Sequence, residues 1–236
     1  MCKRGRSFCF VLRALGRASV TSMGIRPRLF LTTYCLIMIQ FLRHTLKTSV
    51  PPEELQAVAA FARSHSLNEH AYFPFSDSVY FVREGVLRWY SIEKGEEGNE
   101  EFTNWFFARG DAAFSYSALT YGQQPEGFLQ ACCSSELAEI KKEDYLRLRD
   151  QYPWFDQLTR TLELDFFLRR ETHWRQMAHL SGFARYKTFI ETYPYIAARV
   201  MGKHLAGLIG INPDTLAKLR KRDRDNGRKP VISSPQ

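Results

Sequence analysis

The stretch from Val200 to Arg222, VMGKHLAGLIGINPDTLAKLRKR, constrains the fold of this chain more than any other. Leu205, Leu208 and Ile209 repeat at helical spacing before Gly210, and Leu216 and Leu219 repeat after it. A glycine between two such runs suits the positive φ of a tight inter-helix turn. Asn212-Pro213 is a helix start, with the amide capping free N–H groups and the proline in the first helical position. Ala206 is small where the first helix must approach the second, and Ile211 supplies an apolar plug after the turn. The predicted pattern is helix, sharp turn, helix. The second helix is apolar only at Leu216, Ala217 and Leu219, and its other face ends in Lys218, Arg220, Lys221 and Arg222, which suits phosphate neutralisation.

Charge is distributed unevenly around that stretch. The formal net charge is +8, but the first 52 residues hold nine Lys and Arg and no acid, and the chain from Lys203 onward holds eight basic residues against three acidic ones. The middle is therefore acidic, and the basic tail begins at the helix-turn-helix. Residues 1–37 are read as a basic extension. Arg13, Arg17, Arg26 and Arg28 interrupt every apolar run, leaving neither a signal-peptide core nor a membrane span. Counting from Met38 gives 26 basic against 25 acidic residues, a balance that favours translation beginning at Met38, with the extension an upstream reading-frame artefact or a disordered arm rather than an amphipathic targeting arm, and a cytoplasmic location. Five cysteines form no CxxC pair. Cys132 and Cys133, adjacent on an expected strand, are read as packing residues, and no metal site is expected.

Between the extension and the tail, Pro51 and Pro52 open a helix with Leu55, Val58, Ala59 and Ala62 on one face. Short aromatic and β-branched runs follow at Val79–Val82, Val86–Ile92, Phe102–Phe107 and Phe128–Cys133, separated by Gly85, a loop at 94–98, Gly110-Asp111 and 122–127. Their spacing predicts a compact antiparallel roll. Beyond Leu137–Ile140, a helix from Lys142 carries Tyr145, Leu146 and Leu148. Residues 154–180 then read as one long helix with Leu158, Leu162, Phe166, Trp174 and Met177 as a buried stripe. Arg169, Arg170 and His173 break that stripe, as in an imperfect coiled-coil seam or a helix packed on its own sheet. Ser181-Gly182 marks a hinge, and an amphipathic helix runs from Phe183 to Tyr193. The segment after Arg222 is too short and polar for a substantial wing, and residues 229–236 are expected to be disordered.

Roll, long helix, helix-turn-helix is the order found in the cyclic-AMP receptor protein and fumarate-nitrate regulator (CRP/FNR) family of transcription regulators, and residues 41–222 resemble it. The resemblance rests on YFVREGVLRWY at Tyr80–Tyr90, similar to the family's strand-glycine-strand corner, and on ARYKTFIETYPYI to LAGLIGINPDTLAKLRK, similar to the variant common in Bacteroidetes. It implies an α+β fold in four parts. These are the extension at 1–37, a cyclic-nucleotide-binding-like jelly roll at 38–153, a dimerisation helix at 154–180, and an all-α helix-turn-helix domain with little or no wing at 181–236. It also implies double-stranded DNA, a second copy of the chain and RNA polymerase as partners. By position, the family's base-reading residues fall on Pro213, Asp214 and Lys218. Pro213 departs from the arginine of the best-known member, whereas Asp214 can accept from a cytosine amino group and Lys218 can donate to guanine or phosphate. Lys203, Asn212 and Thr215 are placed for backbone contacts, and Lys221 and Arg222 for nonspecific attraction.

The effector side departs from the family pattern. In nucleotide-binding members a glutamate binds the ribose and an arginine-serine pair grips the phosphate. Ser115 stands at the first position and Pro125-Glu126 at the second. An acid there repels the anion and proline removes an N–H donor, so the roll is expected to persist without cyclic-AMP binding. No cofactor is expected. Cys2, Cys9 and Cys35 do not match the family's iron-sulfur spacing, and His173 and His179 read as polar face residues rather than haem ligands. The absence of G-x-S-x-G, H-E-x-x-H, P-loop and G-x-G-x-x-G patterns argues against an enzyme. Glu96-Glu97 and Glu100-Glu101 are expected to be solvated beside a hairpin loop. The alternative reading is a small-molecule sensor or protein-interaction module with a vestigial helix-turn-helix.

Overall fold

The structure, a computed structural model, describes residues 33–45, 50–95, 98–124 and 126–225. Most of the expected extension, Pro125, and the C-terminal segment in which a missing wing and a disordered end were expected lie outside these residues.

Two helices open the fold, α1 (Thr33–Thr45) and α2 (Pro52–Ala59). Helix α1 begins upstream of Met38, so the line between residues 37 and 38 falls within a helix whose Ile37, Met38, Phe41 and Leu42 are buried. Proline opens α2, with Glu53 and Glu54 in the first turn where the helix dipole favours acids, and Leu55, Val58 and Ala59 turn inward.

The roll is two four-stranded antiparallel sheets. One runs in the order β1 (Arg63–Leu67), β8 (Ser135–Ile140), β3 (Val79–Glu84), β6 (Ala112–Ala113). The other runs β2 (Tyr72–Pro74), β7 (Phe128–Ala131), β4 (Val86–Gly95), β5 (Gly98–Ala108). The expected strands are present, with three differences. Strands β1 and β2 carry no clear apolar alternation and form by pairing with β8 and β7. The hairpin strands β4 and β5 pair out to Gly95 and Gly98, well beyond the aromatic runs, because register rather than burial holds their charged ends. Strand β7 ends at Ala131, so Cys132 and Cys133 do not point to opposite faces of a strand. They lie in the following bend, where the Cys132 N–H donates to the Val86 carbonyl at 2.8 Å.

A short helix α3 (Tyr116–Tyr121) lies between β6 and β7, and α4 (Lys142–Gln151) follows the roll with Tyr145 and Leu148 buried and Leu146 turned to solvent. The long helix is α5 (Pro153–His179), close to its predicted span. Its packed side holds Phe155, Leu158, Leu162, Phe166 and Met177, but Trp174 is 60 % exposed and does not belong to the buried stripe. Trp174 shares the opposite side with exposed Leu164, Phe167 and Leu168. The polar residues that break the stripe mark where α5 meets its own roll. Arg169 reaches Asp111 at 2.7 Å, and the Arg170 guanidinium donates to the Asn104 carbonyl at 3.1 Å.

The C-terminal region is α6 (Gly182–Thr192), α7 (Pro194–Ala197), α8 (Gly202–Ile209) and α9 (Pro213–Asp225). Ser181 caps α6 by accepting from the Ala184 N–H at 3.3 Å, and Pro194 both ends the pattern of α6 and opens α7. Two apolar cores result. One joins α1, α2, α4 and the start of α5 to the β1-β8-β3 sheet, and the other runs without a break from the roll interior through Trp105 and Phe106 into Tyr186, Phe189, Leu205 and Leu216. Among the described residues no helix is long and apolar enough to cross a membrane.

Candidate nucleic-acid interface

Helices α8 and α9 form the predicted helix-turn-helix. Gly210 adopts φ +61°, the left-handed region that favours glycine, while the one close neighbour of a Cβ there would be the flexible end of Met177, at 2.5 Å. The Ile211 N–H closes the turn on the Ala206 carbonyl at 3.0 Å. The Asn212 Oδ1 accepts from the Asp214 N–H at 2.8 Å, which is the cap expected of it. Leu205, Ala206, Leu208, Ile209 and Leu216 are buried. Lys203, Asn212, Pro213, Asp214, Thr215, Lys218, Lys221 and Arg222 are all exposed.

A cleft of about 330 Å³ opens between the start of α8 and α9, floored by Leu216 and Ala217 and lined by Lys203, Arg220 and Arg224. Arg220, which the sequence places on the basic face of α9, turns instead toward α8, and Arg224 beside it is a residue that the sequence analysis does not name. Their signal was the four-residue repeat from Leu216, which puts them on the face of α9 that turns toward α8. Arg220 is held there by donating to the Ala197 carbonyl at 3.3 Å.

The unit rests on the roll, chiefly on β5. His204 of α8 is only 6 % exposed, with its Nε2 4.0 Å from the Glu101 Oε2 and its Nδ1 without a partner. Burial, then the positive charges of Arg88 and Lys203, push its pKa down to about 4. Glu101 is not simply solvated, contrary to expectation. It accepts at 2.7 Å from Arg88, which is itself buried in β4 and also donates to Thr103 Oγ1 at 2.9 Å and Gln130 at 3.3 Å. The Arg88 hydrogen bond is the main cause of the lowered Glu101 pKa, and His204 and Lys203 lower it further. Two more contacts brace the surroundings of the unit, one from α7 to the roll and one from α6 to the turn between α8 and α9. The Tyr195 hydroxyl donates to Glu84 at 2.6 Å and accepts from the Gly85 N–H at 3.3 Å, and Arg185 of α6 donates to the Gly210 carbonyl at 2.9 Å. Residues so distant in sequence give no local signal of these contacts.

The effector candidates lie apart from this unit. The Ser115 hydroxyl caps α3 by accepting from the Ala118 N–H at 3.3 Å. Glu126 is exposed, and its carbonyl accepts from Trp89 Nε1 at 3.1 Å. Pro125 is outside the described residues. Where α5 closes on the roll, Phe166 packs among Trp105, Phe107 and Phe114, and the Arg170 guanidinium lies 5.4 Å from the Trp89 ring and 5.8 Å from that of Trp105. His173, expected to be a polar face residue, meets the Leu208 carbonyl at 3.1 Å and so also touches α8.

No protein-family model matches the chain, and no curated protein matches it. Solved structures share its fold. FixK2 of Bradyrhizobium japonicum superposes with a TM-score of 0.60 at 14% identity, over 73% of this chain and 89% of that one. The c-di-GMP-responsive global regulator CLP of Xanthomonas campestris gives 0.58 at 15% identity, over 79% and 96%. A transcriptional regulator of the CRP/FNR family from Eubacterium rectale gives 0.56 at 15% identity, over 75% and 85%. The chain therefore has the roll, long-helix and helix-turn-helix fold of CRP/FNR-type regulators.

Proposed function

We propose that the chain is a sequence-specific DNA-binding transcription regulator of the CRP/FNR type, acting as a homodimer in the cytoplasm with RNA polymerase as a further partner. One observation carries this reading. In the helix-turn-helix every apolar residue of the predicted periodicity is buried or half-buried, while all eight residues assigned to DNA stand exposed. Asp214 and Lys218 in the first turns of α9 read base edges, Lys203, Asn212 and Thr215 hold the backbone, and Lys221 and Arg222 add sequence-independent attraction. The exposed apolar side of α5, with Leu164, Phe167, Leu168 and Trp174, is the surface on which a second copy pairs. Two recognition helices so joined would enter successive major grooves about one helical turn apart.

The roll in this reading senses something other than cyclic AMP. Ser115 uses its hydroxyl as a helix cap, and Glu126 brings negative charge to the phosphate position. The mouth beside α5 is filled by Phe166 and Arg170 against Trp89 and Trp105.

Selection of bound fragments from random duplex DNA by the full chain, at low and moderate salt, tests the reading. Recovery of an inverted repeat with half-sites one turn apart, bound with a steep inverse dependence on salt, is the expected result. Salt-sensitive binding without sequence preference, with and without cell extract, would instead favour a module whose helix-turn-helix is vestigial.

A further inference from the structure

The cleft between α8 and α9 collects positive charge that the fold itself does not use. Helix α9 packs inward through Leu216, and the positions four and eight residues further on, where continued packing would take apolar residues, are Arg220 and Arg224. Arg220 is half-buried and donates one N–H to the Ala197 carbonyl, while Lys203 and Arg224 are exposed. Among the described residues none of the three is ion-paired. Glu101 acts on Lys203 electrostatically, but its carboxylate is bonded to Arg88.

The backbone adds to this charge. A Cβ on Gly202 would lie 3.4 Å from Arg220 Nη1, so the guanidinium lies against the first turn of α8. The N-cap of that helix is Met201, which offers no side-chain acceptor, and the N–H groups of Gly202 and Lys203 lack a cap. Cations and N–H donors from two helices thus meet at one cavity of about 330 Å³, and none of the side chains that line it can accept a hydrogen bond. Such a lining suits an anion. Its place on α9 says which one. At about 100° per residue, Arg222 and Thr215 stand about 80–100° round the helix from Asp214 on one side, and Arg224 and Arg220 about 80–120° on the other. A helix about 10–12 Å across, in a major groove about 12 Å wide, turns those two flanks to the two walls of phosphates.

We propose that the cleft seats a backbone phosphate on one wall of the major groove, with Arg220 held ready by the Ala197 carbonyl and Lys203 and Arg224 completing the charge. The inference rests on the DNA-binding reading above and extends it to the flank of α9 that turns toward α8. Arg220 and Arg224 fix the register of the recognition helix on the duplex without reading its sequence.

The test moves a neutral methylphosphonate through the selected repeat, one position at a time and symmetrically in both half-sites. Wild type is expected to lose about tenfold or more at one position on the wall beside the cleft. Arg224→Ala and Lys203→Ala, both changes at exposed residues, are each expected to weaken the unmodified repeat several-fold and mismatched forms in the same proportion, and to lower the slope of log affinity against log salt by about 0.9 per half-site. At the sensitive position each variant is expected to lose several-fold less than wild type, because part of the phosphate's partner is already gone. Thermal melting without DNA, in inorganic phosphate and in chloride at matched ionic strength, separates a free anion from the backbone. If both variants keep the full methylphosphonate loss at every position while wild type binds its repeat, the seat for a backbone phosphate is overturned and the DNA-binding reading stands. A stabilisation specific to inorganic phosphate, absent from both variants, would in that case assign the cleft to a free phosphate compound. If wild type binds no duplex, the DNA-binding reading fails and the seat falls with it.

Discussion

His204 enters the folded state as a neutral imidazole. Burial under β5 is the main cause, the charges of Arg88 and Lys203 add to it, and the pKa is held at about 4 against an ordinary 6.5. Below pH 6.5 the unfolded chain takes up a proton that the folded chain refuses, so the native state loses stability as pH falls from 6.5 toward 4. Replacing His204 with leucine removes that loss. Urea unfolding at about pH 7 and about pH 5 should show wild type losing some 1–2 kcal/mol more than His204→Leu over the interval; equal losses would mean the imidazole is not held neutral. At the DNA face a different residue is informative. Lys218 is exposed and free of the roll, so Lys218→Ala should fold as wild type does. It should relax sequence preference and weaken specific binding by about 1–3 kcal/mol, read by competition between the selected repeat and its mismatched forms. The exposure of Lys218 follows from apolar spacing alone, and the spacing showed it. The burial of His204 does not, because it depends on a strand a hundred positions away.

The elements divide along the same line. The turn at Gly210, the Asn212 cap and the core positions of α8 and α9 were legible because glycine, cap and apolar period all act within a few residues. Strand β1, reading RSHSL, was not, since its place comes from pairing with β8. Helix α5 shows a subtler limit. It carries apolar residues on two sides, Leu158, Leu162 and Phe166 on one and Leu164, Leu168 and Trp174 on the other, and periodicity does not say which side the chain covers with itself. The sequence reading put Trp174 on the wrong side, although the span of the helix was right to within a residue. The uncovered side makes its own prediction. Leu164→Glu combined with Leu168→Glu should leave the fold intact, because neither residue packs in the protomer core, and should turn a dimer into a monomer in sedimentation. A monomeric wild type, or a variant that still dimerises, would move the interface elsewhere.

At the scale of the whole molecule, the continuous core from the roll into α6, α8 and α9 matters more than any one tether. A helix-turn-helix joined to its sensor by a flexible link would melt on its own, and changes within it would leave the roll untouched. Here Leu205 of α8 belongs to the same apolar cluster as Trp105 and Phe106 of the roll, and the bonds of Tyr195 to Glu84 and of His173 to the Leu208 carbonyl cross the same boundary. The two parts should therefore unfold together, and the chain carries a probe that can tell. All four tryptophans, Trp89, Trp105, Trp154 and Trp174, lie in the roll or α5 and none in the DNA unit. Leu205→Ala, which empties a fully buried side chain, should cost about 2–5 kcal/mol. With one cooperative unit, tryptophan emission and helical circular dichroism shift together to the same lower midpoint. With two independent units, the circular dichroism transition splits and the tryptophan midpoint stays at the wild-type value.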